Sequence, residues 1–226
     1  MSPDPLLGLL QLVDSGFPSG AFTLSHGLET LVADGVVRSP DDVAALLEVS
    51  LLDRLARGDL VVLLAVHRAA DLDEVLDLDR RLATVKLAAD DRLASQRVGR
   101  RLAIEASRLV SDALMTAYVA ALTDGRAPAN AAVALALATR AFGVTASDAA
   151  LGASWSFANG LCAAAVRLGL IGHRDAQRIL REAGPTLRQA VDRASAGDPR
   201  SLRPSSPQLD VALARHETAV AHLFAS

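Results

Sequence analysis

Apolar residues recur every three or four positions along most of this chain, and clusters of Gly, Pro and Asp cut that rhythm into helix-sized pieces. Leu6, Leu9, Leu10 and Val13 predict a first helix over Pro5–Val13, with those four side chains on one face. Gly16, Pro18 and Gly20 then crowd into five residues and predict a defined turn. A second helix is expected from Thr23 or Ser25 to the Asp34-Gly35 stop. Ser39-Pro40-Asp41-Asp42 opens a third: the serine can cap a free amide, proline suits the first helical position, and both acids favour the positive end of the dipole. That helix carries Val43 to Leu55 and stops at Gly58, where Asp59 can cap a fourth.

From Asp71 to about Thr123 the pattern stays helical, which is too long for one ordinary helix. Breaks are expected near Asp71–Asp79 and Asp90–Ser95. Asp124–Pro128 precedes a helix over Ala129–Phe142, and Thr145-Ala146-Ser147-Asp148 reads as a capping box with Asp in the usual Glu position. The helix it opens carries Gly152, Ser156, Gly160 and Ala164 at four-residue spacing. That row of small side chains admits a close neighbour, within the core or across a dimer. Pro185 should kink or split the helical stretch over Asp175–Ala194. Ser195–Pro207 is rich in Pro and Ser and reads as a surface linker, and Gln208–Phe224 regains a helical pattern. The expected architecture is all-α: one helical-bundle domain of about eight to ten helices over residues 1–194, then a linker and detachable C-terminal tail over residues 195–226.

Composition supports that reading. Ala (44) and Leu (38) dominate the 226 residues while aromatics make up 3%, which argues against a β fold and against disorder. A net charge of −3 offers none of the basic field that nucleic-acid binding needs. Lys86 is the sole lysine. Cys162 is the sole cysteine, so no internal disulfide can form, which fits a reducing compartment. The first five residues lack the positive start of a secretory signal, and the expected location is cytoplasmic. Ala149–Val166 runs for 18 residues without formal charge, the lower limit for a membrane span, but its Ala, Gly, Ser and Asn159 content reads as a buried helix.

Candidate chemistry is thin. No glycine-rich phosphate cradle is present. Ser25, His26 and Asp14 lie close in sequence, but no nucleophile elbow frames the serine, and a packed turn accounts for it. His26, His67, His173, His216 and His222 include no i,i+3 or i,i+4 pair, so no metal site is expected within one subunit. Cys162, Trp155 and Phe157 read as core, and the carboxylates along Asp71–Asp79 as a solvated helix start. Polar residues without an evident structural need remain in two places: the Asp14–Glu29 turn and Arg215-His216-Glu217.

Those places carry a family resemblance. Phe17-Pro18-Ser19-Gly20-Ala21-Phe22-Thr23-Leu24-Ser25-His26-Gly27-Leu28-Glu29 resembles the N-terminal signature of the urease accessory protein UreF family. Ser206–Ala212 with Arg215-His216-Glu217-Thr218, and the final Leu223-Phe224-Ala225-Ser226, resemble its C-terminal signature. Asp59, Ser95 with Gly99, Trp155 with Asn159, Ala164–Leu168 and Gln177 fall where milder motifs would. The chain differs from the pattern at Asn130-Ala131-Ala132, at Leu170–His173 and at His222.

The resemblance implies a dimer-forming accessory protein without turnover, catalytic residues or cofactor. Such a protein binds the scaffold UreD (UreH in some organisms), helps recruit the GTPase UreG and assists nickel delivery to apo-urease. Its implied partner-binding residues are Phe17, Pro18, Gly20, Phe22, Ser25, His26, Glu29, Arg167, Gln177, Arg215, His216, Glu217, His222 and Phe224. Within the turn, Pro18 and Gly20 would set the backbone, Phe22 would pack, and His26 or Glu29 would meet a partner. The alternative is a regulator of a partner GTPase acting through a supplied arginine, with Arg97 and Arg100 as candidates.

Overall fold

The computed structural model describes residues 4–216. Among them are twelve α-helices and no strand, so the all-α expectation holds with more helices than the eight to ten anticipated. The excess comes from short breaks. Helix α1 is Pro5–Val13, capped by Asp4, whose carboxylate accepts from the amides of Leu6 and Leu7. Helix α2 is Leu28–Ala33 and starts later than the pattern suggests, because His26 (φ 53°) and Gly27 (φ 81°) sit in the left-handed region and stop a helix from forming across them. Helix α3, Pro40–Val49, carries the complete Ser39/Asp42 capping box.

The chain then loosens into a wide π turn over Ser50–Arg54 and a tight 3-10 turn over Leu55–Arg57 before α4, Asp59–Val66. Helices α5 (Leu72–Val85), α6 (Ala89–Ser107) and α7 (Ala113–Thr123) divide the long periodic region. Asp71 caps α5 and Asp112 caps α7. The middle break falls at residues 86–88, earlier than the acidic cluster suggested, and the break before Asp112 carries too little Gly or Pro to have been foreseen.

Helix α8 is Ala131–Ala141 and α9 is Ala146–Arg167. Pro185 splits the next stretch into α10 (His173–Glu182) and α11 (Gly184–Ser195). Helix α12 is Pro207–His216 and lies on α2 and α6, with Leu209, Ala212 and Leu213 buried.

Helices α4, α8 and α9 form the centre. Every residue of α8 from Ala132 to Thr139 is buried, and its alanines let α6 and α4 close on it from two sides. Helix α9 is long and apolar enough, by length and composition, to cross a membrane, but half of that stretch is buried against neighbouring helices. Its small-residue row serves contacts inside the chain: at Gly152 an added Cβ would come within 2.7 Å of Leu9 on α1.

Helix α1 does not bury Leu6 and Leu10, which are 64% and 55% exposed; it turns Gly8 and Leu12 inward. The cause is Phe142, whose ring fills the space a Cβ at Gly8 would need. Asp79 is not part of a solvated helix start either, being fully buried. It accepts from the Tyr118 hydroxyl (2.8 Å), the amides of Ala129 and Asn130 (both 3.0 Å) and Asn130 Nδ2 (2.7 Å). With Ser95 Oγ accepting from the Ala131 amide at 3.2 Å, neighbouring helices cap the start of α8 that its own side chains leave open.

Candidate functional site

The turn between α1 and α2 is built by short local bonds. Asp14 Oδ1 accepts from the Gly16 amide at 2.7 Å, the Asp14 carbonyl from the Phe17 amide at 3.0 Å, and the Phe17 carbonyl from the Ser19 amide at 2.7 Å. Gly20 adopts φ 82°, where a side chain would be strained. The phenylalanine that is buried is not the Phe22 that the sequence expected to pack. Phe17 is buried, whereas Phe22 is 49% exposed with the Arg167 guanidinium 4.4 Å above its ring. Pro18 is exposed beside them, and Glu29 is half-buried on α2.

His26 turns inward. Its ring lies 4.6 Å from that of Phe157 and faces a cavity of about 210 Å³ beneath the turn. Ser25 is fully buried, and its hydroxyl has no hydrogen-bond partner among the described residues. The two side chains therefore lack the hydroxyl-to-imidazole bond that activates a serine nucleophile.

A chain of buried and half-buried charges borders the same cavity. Lys86, whose side chain is 9% exposed, reaches Asp59 at 3.0 Å and Asp91 at 3.9 Å. Arg54 holds Asp91 at 3.1 Å and pairs with Asp210 of α12. Burial alone would pull the Lys86 ammonium down, but Asp59 and Asp91 outweigh it and raise it. Burial would likewise raise the Asp91 carboxyl, yet Lys86 and Arg54 hold it below its ordinary value. Among the described residues no three potential metal ligands converge.

Burial pushes His26 down to about 4, with Asp91 opposing and Arg54 and Lys86 assisting. His67, bonded to Thr139 at 3.0 Å, falls to about 4 for the same leading reason. Both rings are neutral in the fold and titrate near 6.5 once unfolded, so the unfolded chain binds more protons between those values. Stability is thus full above about pH 6.5 and declines as pH drops toward 4, by up to about 3 kcal/mol for His26 and by less for the part-exposed, solvent-screened His67. Melting curves at pH 7 and pH 5 should show this loss. His67→Gln should flatten the dependence, and an unchanged slope would refute the assignment.

The two end signatures meet. Gly27 stands where a Cβ would lie 2.8 Å from Leu209 and 3.2 Å from Leu213, and Arg215 pairs with Asp34 at 2.5 Å. His216 closes α12; Glu217, His222 and Phe224 lie outside the described residues. Gln177 is elsewhere, in an open groove of about 1100 Å³ with Leu6, Leu10 and Trp155, the tryptophan 43% exposed. Sequence reading missed Arg54, Asp91 and Asp210, because pairing across 156 positions leaves no periodic trace. The one available signal was Lys86, a lone lysine among arginines.

A family model described as UreF matches residues 37–184, well over half of the chain. The chain belongs to the UreF family. It is 30% identical over 223 residues to the urease accessory protein UreF of Trichodesmium erythraeum (strain IMS101), covering 97% of this chain and 96% of that one. It is 31% identical over 226 residues to the urease accessory protein UreF of Bacillus sp. (strain TB-90), covering 98% and 99%. Urease accessory protein UreF 1 of Brucella melitensis biotype 1 shares 30% over 222 residues, covering 97% and 92%.

Positions at which this UreF-family member departs from the pattern have visible settings. Asn130 is buried on Asp79, and His173 opens α10 in solvent. Cys162 is buried, and burial pushes its thiol up to about 11, away from thiolate chemistry. Of the two arginines considered for a GTPase, Arg100 donates to the Leu122 carbonyl at 2.9 Å, while Arg97 is exposed.

Proposed function

We propose that this protein is a cytoplasmic urease-maturation adaptor that turns over no substrate of its own. It would bridge the scaffold UreD (UreH) and the GTPase UreG while nickel is passed to apo-urease. The observation that carries the reading is the convergence of both family signatures at one end of the bundle. There α12 lies on α2, and the exposed Phe22–Arg167 pair stands beside the turn. An aromatic ring under a guanidinium, on a rigid turn, suits a protein-interface anchor, since Arg and aromatic residues are the commonest hot spots.

The open groove on the opposite flank of α9 supports a homodimer. Leu6 and Leu10 of α1 are exposed there beside Trp155, an apolar face that single chains seldom leave in water. Co-expression with UreD and UreG followed by native mass spectrometry tests both parts. The expected result is a complex containing two copies of this chain. Phe22→Ala with Arg167→Ala should lower UreD occupancy by about tenfold, the effect of one hot spot. Unchanged occupancy would reject the turn as the docking surface.

A further inference from the structure

Positive charge gathers on one helix face of a chain whose net charge is −3. Leu93, Arg97 and Arg101 follow one another at four-residue spacing on α6, all exposed, and Arg100 stands beside them with its guanidinium tied to the Leu122 carbonyl. The acids that flank this row are engaged elsewhere. Glu105, one turn beyond Arg101, is held by Arg108 at 2.8 Å. Asp91, before Leu93, turns inward to Arg54 at 3.1 Å, and Asp124 beyond α7 pairs with Arg126 at 3.4 Å.

The same helix seats the turn between α1 and α2. Leu24 is buried with Ala94 and Val98 of α6, and Ala21 packs on that small cluster. Arg101 reaches the turn at Gly20, where an added Cβ would come within 3.0 Å of its Nη1. The missing side chain thus admits a guanidinium as well as a left-handed backbone. Two residues on, the ring of Phe22 carries the Arg167 guanidinium 4.4 Å from its centre. Cations therefore approach one exposed turn from α6 and from the end of α9.

We propose that Arg97, Arg101 and Arg167, with Leu93 and Phe22, form a docking face for a carboxylate-rich segment of a partner protein. The segment that fits is a helix presenting Glu or Asp on successive turns beside an apolar side chain. The planar fork of arginine matches a carboxylate with two parallel hydrogen bonds. Leu93 is 51% exposed and Phe22 49%, and apolar surface of that kind beside charge suits a protein partner. A nucleic-acid backbone would instead ask for a broad basic field, which an acidic chain does not supply. Only the use of the turn as a docking surface is shared with the adaptor reading; the carboxylate chemistry and the part played by α6 are additional.

Fluorescence anisotropy on the full chain tests it, with a labelled helical peptide that carries Glu at four-residue spacing beside Leu. The Glu peptide should bind at least about tenfold more tightly than the same peptide with Lys in place of Glu, and less tightly at about 0.15 M ionic strength than at low salt. Arg97→Glu with Arg101→Glu should weaken binding by about tenfold and flatten the salt dependence. Arg97→Gln with Arg101→Gln should weaken it by about threefold, and melting curves should show both pairs folded, since both side chains are exposed. Equal binding of the Glu and Lys peptides would overturn the docking face. So would unchanged affinity in the charge-reversed variant, or tighter binding of an oligothymidylate than of the Glu peptide. The assay contains no UreD, so failure here leaves the assignment of the turn to UreD standing, and failure of UreD docking leaves the peptide result standing.

Discussion

Gly99→Ala should cost this protein roughly 3–5 kcal/mol, most of the stability of an ordinary domain, and leave little folded chain at 37 °C. The reason is distance. A Cβ at Gly99 would lie 2.0 Å from the Ala129 carbonyl oxygen and under 3 Å from the backbone of Asn130 and Ala131. Those atoms belong to the start of α8, itself fixed by Asp79 and Ser95, so they cannot step aside as the tip of a side chain would. Gly152→Ala provides the contrast: its nearest obstacle is the flexible end of Leu9, and a small change in melting temperature is expected. Urea denaturation of both variants checks the pair, and similar costs would show that α6 and α8 can part without penalty.

The second large effect is expected at Asp79. Its carboxylate accepts from four buried donors on α7 and the approach to α8, and Ala129 among them is held at φ 77°. Asp79→Ala leaves those donors without an acceptor and should cost roughly 3–5 kcal/mol. Asp79→Asn retains one acceptor oxygen and should cost about half as much. The same burial, with the charge of Asp79, holds the Tyr118 phenol far above its ordinary value. Thermal melts of the two variants should therefore rank Ala below Asn, and equal melts would mean that shape, not hydrogen bonding, sets the site.

These two residues also show what the sequence could and could not disclose. Helix spans came from periodicity and caps: Pro5–Val13, the Ser39 box and the Pro185 split all stand as read. Facing did not. Leu6, Leu9, Leu10 and Val13 share a face by pattern, and the Phe142 ring opposite Gly8 explains why Leu6 and Leu10 of that stripe face outward. Asp79 sat in a run of acids that resembles a solvated helix face, because its donors lie about 40 to 50 positions downstream. At the candidate site, the family signatures named Phe22, His26 and Arg215. Their orientation was decided by partners with no sequence proximity: Arg167 for Phe22, Phe157 for His26 and Asp34 for Arg215.

Lys86 has a practical consequence. The ε-amine of the whole sequence is held charged between Asp59 and Asp91, with nine-tenths of its side chain out of solvent. Amine-reactive cross-linkers and labels thus find no lysine on the surface of this protein. Contacts with other proteins have to be mapped through its carboxylates or guanidinium groups. Slow acylation at Lys86 would in turn act as a clock for the opening of its own salt-bridge cluster, with no competing lysine to blur the reading.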